Sequence, residues 1–425
     1  MRRTSRFLQA CLVALGLLAA ANMARGAGFA LYEGSARGNA LGGALVGRAD
    51  DPSALFYNPA GMTQLPGLQM MCGATAIIPK TDILTTHGGT ETSFETGSNV
   101  WIPPHFYSTY QCTDSIWFGL GVFSRFGLGT EFDASWIGRY NSYNSVIQTL
   151  TVNPNVALKV NDKLSLAVGA SWMRFDLTLE QKADFGNLND PNPDTYDLDV
   201  DQSLTGDSSG YGVNLALHYK AFNWMSLGVS YQSRIKQEIE GEVDFSKPFG
   251  VPPAVFNDTK ASGEIMLPAM VFLGVAFNPV DRLSMEVGGV WTGWSTYEAL
   301  TIHYGDPILP GVKSSTKDKK WNDVWRLQVG AEYKMSDWLD LRLGYVRDNS
   351  PIPDETADYL LPADDRHLYN FGCGLHMGHW TLNLSYAYLD VDSRTVNARP
   401  EDGILHSRFE DGYSHLIGSS VSYKF

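Results

Sequence analysis

Hydrophobic and polar positions alternate with a period of two along most of this chain. Trp380, Leu382, Leu384, Tyr386 and Tyr388 share one parity, and Thr381, Asn383 and Ser385 the other. Trp325, Leu327, Val329, Ala331 and Tyr333 oppose Arg326, Gln328, Gly330 and Glu332 in the same way. Met225, Leu227, Val229 and Tyr231 oppose Ser226, Gly228, Ser230 and Gln232. This is the pattern of a strand with lipid on one side and an aqueous interior on the other. The last strand, residues 413–425, keeps it and ends on Phe425, an aromatic ending typical of bacterial outer-membrane barrels.

Read this way, the chain predicts strands near 67–80, 100–112, 114–126, 149–161, 163–180, 209–221, 223–240, 258–278, 281–298, 320–335, 337–350, 365–377, 379–390 and 412–425. Short turns at Asp114, Asn161-Asp162, Phe222-Asn223, Pro279-Val280, Ser336 and Gly378 alternate with seven long polar loops, at 81–99, 127–148, 181–208, 241–257, 299–319, 351–364 and 391–411. Short periplasmic turns and long external loops are the arrangement of an outer-membrane barrel, with an even strand count and both ends on the short-turn side. The longest apolar stretch after the leader, residues 267–277, holds 11 residues, too few for a membrane helix. Backbone in lipid then requires a closed barrel. The expected fold is an all-β membrane protein, a 14-stranded antiparallel transmembrane β-barrel over 67–425, plugged by an N-terminal hatch. Trp101, Trp117, Trp224, Trp338 and Trp380 fall at strand ends, as interfacial girdles do.

The N-terminus supplies the route to that membrane. Arg2, Arg3 and Arg6 precede an apolar run over 7–21, and Ala24-Arg25-Gly26 offers small residues at −3 and −1. Residues 1–26 are a secretory signal peptide, cleaved before Ala27. Removing its four arginines leaves 28 basic against 46 acidic residues, a formal charge of −18, which argues against nucleic acid as a partner. Cys72, Cys112 and Cys373 lack metal-ligand spacing, and the histidines are scattered, so no metal or cofactor is expected. Cys72 and Cys112 fall on adjacent strands, leaving either a periplasmic disulfide or a pair of free thiols. Gly206-Asp-Ser208-Ser-Gly210 matches a nucleophile elbow by letters alone, without the strand–turn–helix context, and no enzyme is expected.

Residues 27–66 do not alternate. They are rich in Gly and Ala, suited to tight packing, and contain Asp50-Asp51 and Asn58-Pro59-Ala60, the latter a helix start with Asn as cap and Pro in the first turn. A barrel of this size has a lumen to fill, and such a segment ahead of the first strand makes a plug. Here the chain resembles the FadL/TodX family of outer-membrane transporters. The resemblance is carried by Gly28-Phe29, Glu33-Gly-Ser35, Gly38, Gly42, Gly47, Asp50-Asp51 and Tyr57-Asn58-Pro59-Ala60, and by Leu128-Gly129-Thr130-Glu131-Phe132 and Trp136-Ile137-Gly-Arg139-Tyr140. It continues through Leu267-Pro268, Trp291-Thr-Gly-Trp294-Ser295, Arg342-Leu-Gly344-Tyr345 and Leu361-Pro362, in order along the whole mature chain.

The resemblance implies passive uptake of hydrophobic small molecules, either long-chain fatty acids or aromatic and aliphatic hydrocarbons. Ligand would meet an external apolar loop carrying Phe132, Trp136, Ile137, Tyr140 and Tyr143, although the same residues suit a self-packed loop core. It would then enter a pocket at Gly28 and Phe29, and leave sideways past a kinked third strand holding Gly119, Gly121 and Gly127, with Asp50, Asp51, Asn58, Pro59 and Ala60 in the hatch or gate. Fatty-acid-transporting members hold the carboxylate with cations from strands 5 and 10, where this chain aligns Asp176 and Asn322. Arg174 and Arg326 lie near those positions; either the ligand is neutral, or Arg174 takes over the role, or the register slips by two. Implied partners are the ligand, outer-membrane lipid and lipopolysaccharide, and the barrel assembly machinery through Phe425, for a monomer. An adhesin, a general porin or a barrel lipase are the alternative classes.

Overall fold

The computed structural model describes residues 28–186 and 198–425. The leader and its cleavage point lie outside the described residues. Fourteen antiparallel strands form one sheet. They are β1 (Leu68–His87), β2 (Pro104–Gln111), β3 (Ile116–Phe123, resuming as Gly127–Glu131), β4 (Asn144–Lys159), β5 (Leu164–Asp184), β6 (Asp199–Phe222) and β7 (Met225–Gln232 and Ile235–Ser246). There follow β8 (Thr259–Leu267 and Met270–Val280), β9 (Leu283–Thr292 and Ala299–Tyr304), β10 (Ser314–Asp318 and Val324–Lys334), β11 (Leu339–Asp348), β12 (Arg366–Met377), β13 (Trp380–Val391) and β14 (His406–Lys424). The sheet closes where β1 pairs with β14, from Gln69↔Lys424 to Thr86↔His406, so no edge is left in the membrane. No helix among the described residues is long and apolar enough to cross a membrane.

The faces follow the alternation. Val168, Leu215, Leu343 and Ile417 point out, all more than half exposed, while Gln328, Glu332, Asn383 and Ser420 are buried in the interior. Toward the outer end the sense inverts. In β7, Ile235, Ile239, Val243 and Phe245 face in, and Lys236, Glu238, Glu240, Glu242 and Asp244 face out. The lower half of the wall is therefore built for lipid outside and a polar filling inside. The upper half is built for water outside and an apolar interior.

Several strands run well past their expected ends: β1 to His87, β5 to Asp184, β7 to Ser246, and β6 starts at Asp199. The hydrogen-bonded ladder continues there although the lipid no longer imposes an apolar outer face. Trp338 and Trp380 are exposed at the short-turn end, and Phe222 and Trp224 stack at 5.4 Å beside another turn, as girdle aromatics do. Trp117 is not in the girdle: it is buried and donates to Leu65 O at 2.8 Å. Cys72, Cys112 and Cys373 are free thiols, because Cys72 pairs across the sheet with Phe106 and Cys112 lies beyond the end of β2.

Residues 28–66 are almost entirely buried against the inner wall. Helix α1 (Ala36–Ala40) is capped by Ser35 Oγ, which accepts from Gly38 N at 3.1 Å, and the Ala36 N–H donates to Ser420 Oγ of β14 at 2.8 Å. Helix α2 (Ala54–Tyr57) leads into a 3-10 turn (Pro59–Gln64) in which Asn58 Oδ1 accepts from Ala60 N. The Asn58 amide also donates to Val46 O at 2.8 Å and to Leu217 O of β6 at 3.0 Å. Two buried glutamates of the wall hold this segment. Glu286 accepts the backbone N–H groups of Val46, Gly47 and Arg48 at 2.6–2.9 Å. Glu332 takes both arms of Arg37 and one nitrogen each from Arg48 and Arg342. Arg37 also pairs with Asp50 at 2.6 Å and Asp51 at 3.0 Å.

The backbone approach is so close at Gly228 that a Cβ there would lie 1.9 Å from Val46 O. Gly228→Ala should therefore cost about 1–3 kcal/mol or more through overpacking. The measurement is the temperature at which the detergent-purified barrel loses its compact gel mobility. An unchanged temperature would mean that the segment does not rest against β7.

Candidate functional site

Upper β3 is cut off from β2. Their pairing ends at His105↔Phe123, and Gly127–Glu131 pairs with β4 alone. The ladder cannot rise on the β2 side because Pro103 and Pro104 have no N–H. In its place the N-terminal segment docks on the break. Leu31 N donates to Arg125 O at 2.8 Å, Gly127 N donates to Phe29 O at 2.9 Å, and Ala30 faces Phe126 in an isolated antiparallel bridge. The kink thus lies at 124–126. Gly119 and Gly121 sit in regular pairing opposite Thr109 and Tyr107, which corrects their assignment to the kink. Gly119 is small because a Cβ would strike Met62 Sδ at 2.3 Å.

Phe29 lies in an aromatic box, with ring centroids 4.6 Å from Trp294, 5.7 Å from Trp321, 6.0 Å from Phe126 and 6.2 Å from Tyr297. Gly28 permits this with φ +51, and a Cβ there would sit 2.6 Å from the Trp321 ring. Tyr32 and Tyr57 lie just below. Burial pushes both phenols up, so each stays neutral; the Tyr32 hydroxyl shares a hydrogen bond with the Thr292 hydroxyl, and Tyr57 donates to Tyr32 O.

Three cavities adjoin. The largest, about 490 Å³, runs from Gly28 and Phe29 through the break in β3 to outward-facing Gln148, Leu150 and Asp176, so it passes through the wall. Trp101 closes over this gap, its indole lying where a Gly129 Cβ would be. A smaller apolar cavity of about 30 Å³ shares Phe29, Leu128, Ile147 and Leu361 with it and is lined further by Phe175, Leu177 and Ile265. A polar cavity of about 210 Å³ under the outer loops meets the apolar one at Asp358 and includes Lys317, Lys320 and Arg399. At that boundary the buried Lys319 ammonium is ion-paired with Asp358. The inner wall of the apolar cavity therefore presents no unpaired charge.

Several sequence expectations land elsewhere. On β5 the inward residues are Met173, Phe175 and Leu177, so Arg174 and Asp176 face outward, paired with each other at 3.0 Å, and Arg174 reaches Asp207 at 2.8 Å. Asn322 is exposed, and its neighbour Trp321 is the residue beside Phe29. Arg326 is buried under the N-terminal segment, 4.3 Å from the Tyr32 ring, and is paired with Asp348 at 3.1 Å. The outer loop is self-packed. Phe132 and Trp136 are buried and stack at 4.1 Å, and Tyr359 meets Trp136 edge-on at 4.7 Å. Ile137 and Tyr143 are partly buried on the same core, and the Tyr140 hydroxyl donates to Asp199 at 2.9 Å. The pocket residues that sequence reasoning missed are Phe126, Trp294, Tyr297, Trp321 and Lys319. The flanking Trp291-Thr-Gly-Trp294 signal was present, whereas nothing distinguished Lys319 among its neighbouring lysines. Among the described residues no cluster of side chains is arranged to hold a metal.

The chain is similar over 94% of its length to the long-chain fatty acid transport protein of Escherichia coli K12, at 25% identity and 94% coverage of that protein. A putative outer membrane protein of Neisseria meningitidis, NMB0088, is 24% identical over 99% of this chain and 100% of its own. Among solved structures, a Pseudomonas aeruginosa FadL homologue superposes with a TM-score of 0.81 at 21% identity, covering 94% of this chain and 100% of that one. The Pseudomonas putida toluene transporter TodX superposes with a TM-score of 0.71 at 17% identity, covering 95% and 99%. At such identities the superpositions show the shared fold. The family model for outer membrane protein transport proteins (OMPP1/FadL/TodX) matches residues 17–425. This chain belongs to the OMPP1/FadL/TodX family: it is an outer-membrane transporter of hydrophobic compounds, a channel and not an enzyme.

Proposed function

We propose that the chain admits long-chain fatty acids or hydrocarbons passively, from the outer loops to the Phe29 box and then sideways into the bilayer between β2 and upper β3. The observation that carries this is the 490 Å³ cavity, which begins at Phe29 and opens through the wall where β3 is broken. An apolar molecule crossing lipopolysaccharide needs shelter from water up to the hydrocarbon layer, and a lateral exit delivers it there. Residues 36–66 act as the hatch and stay in place on Glu286 and Glu332 with Asp50, Asp51 and Asn58-Pro59-Ala60 in their contacts. Residues 28–31 are the moving gate. Phe425, exposed at the end of β14, is what the assembly machinery reads, and the acidic outer strands contact lipopolysaccharide around a monomer.

The test is uptake by cells lacking their own transporter of this kind. Expression should restore oleate uptake, or speed entry of toluene or an alkane, with no entry of sugars. Free passage of sugars with neither hydrophobe would sink the reading.

A further inference from the structure

Arg125 occupies the break in β3 and is 4% exposed. The other buried arginines, 37, 48, 139, 326, 342 and 394, each pair with a carboxylate. Arg125 has no ion pair among the described residues. Its guanidinium lies instead against three rings, 4.3 Å from Phe56, 5.0 Å from Phe123 and 5.5 Å from Phe272. Its one hydrogen bond is a long one, from Nη2 to Phe56 O at 3.4 Å, and Nη1 has no partner. Aromatic faces attract a cation, but they do not replace the hydration or the counter-ion that burial removes. A cavity of about 10 Å³ adjoins both Arg125 and Thr151, whose hydroxyl also lacks a partner.

The position of this charge gives it a role. Phe126 lines both that small cavity and the large exit cavity, and so forms the partition between them. Phe126 is held by Phe29 and Trp294, each with ring centroids 6.0 Å away, and Arg125 O is held by Leu31 N. Movement of residues 28–31 therefore removes the Phe29 ring from one side of the partition and the Leu31 hydrogen bond from the Arg125 backbone in one step, while Trp294 and the Thr149 hydroxyl still hold Phe126. The backbone of the break, which has no β2 partner, can then turn the guanidinium toward the passing ligand. We propose that Arg125, with Thr151, is a carboxylate-binding position on the exit route, which selects anionic amphiphiles with one long apolar chain over neutral hydrocarbons. This rests on the lateral route proposed above. The guanidinium fork suits a carboxylate by two parallel charge-assisted bonds, and nothing in the site competes with the ligand for it.

The experiment compares oleate and toluene uptake in wild type, Arg125→Met and Arg125→Lys, each first shown to form a heat-modifiable barrel. R125M should lower oleate uptake about tenfold or more and leave toluene within about twofold, since a lost charge-assisted bond affects only the charged ligand. R125K should recover part of the oleate rate. Equal loss of both ligands, or of neither, overturns the site. Should R125M fail to assemble, Thr151→Val decides: selective loss of oleate supports the site and unchanged selectivity overturns it. If wild type moves toluene and not oleate, the route stands and the carboxylate site falls. If it moves neither, the route itself has failed.

Discussion

Oxidation of a cysteine pair placed at Ala30 and Phe126 should stop transport, and reduction should restore it. The two residues face each other in an antiparallel bridge, a separation within the reach of a disulfide. The bond would fasten the N-terminal segment to the break in β3, closing the lateral passage from inside. For the proposed gate to work, the same contact must be weak enough to open in the native chain. Its two flanking backbone hydrogen bonds contribute about 1 kcal/mol each. Burial of the Phe29 ring adds about 2–3 kcal/mol. Together these favour the docked state by roughly a thousandfold, a preference that a ligand competing for the aromatic box can reverse. A covalent link cannot be reversed in that way. Oleate or toluene uptake should fall at least about tenfold in the oxidised double mutant, whereas either single mutant should not respond to oxidant. Comparing the oxidised and reduced forms of one protein cancels the loss of the Phe126 ring. Full transport with the disulfide verified by mass spectrometry would show that residues 28–31 need not move.

The barrel was legible in the sequence because lipid imposes a strict rule on one face. Wherever lipid is absent the rule lapses, so the outer ends of β1, β5 and β6 carry the pattern of loops in the sequence. The site was less legible because of the breaks. A shift of one residue turns every side chain to the other face. In β10 the inward positions below the break are even-numbered, Arg326, Gln328 and Glu332. Within the break the buried positions are odd, Lys319 and Trp321, and above it the less exposed ones, Ser315 and Lys317, are odd as well. An unbroken alternation continued upward from Trp325 would turn Asn322 inward, as the family alignment also expects, whereas the break turns Trp321 in. The same switch occurs in β7, where Gly228 and Ser230 face in below the break and Ile235 and Ile239 above it. At β5 the error had another source. The inner face of upper β5 is apolar, Met173, Phe175 and Leu177, and the cation of that stretch, Arg174, lies on its wet outer face.

Glu332→Gln should give the largest loss of stability of any single change considered. Glu332 is 4% exposed and accepts hydrogen bonds from Arg37, Arg48 and Arg342. Neutralising it leaves three guanidinium groups clustered in the lumen with Asp50, Asp51, Asp340 and Glu286 as the nearby carboxylates among the described residues. Removing one partner from a buried ion cluster typically costs about 3–5 kcal/mol, because the remaining charges stay desolvated. The barrel's own ladder does not depend on this residue, since its β10 hydrogen bonds are backbone bonds to β9 and β11. The cost should therefore fall on the attachment of residues 36–66. The expected result is a folded barrel that leaks. Vancomycin, too large and polar for the apolar route, should enter cells carrying E332Q, and protease should reach the N-terminal segment in purified protein. Glu286→Gln should act in the same direction but more weakly, as the three N–H donors it loses in part are neutral. Intact exclusion of vancomycin by E332Q, with unchanged protease resistance, would mean that packing of the small-residue segment holds the plug without its charges.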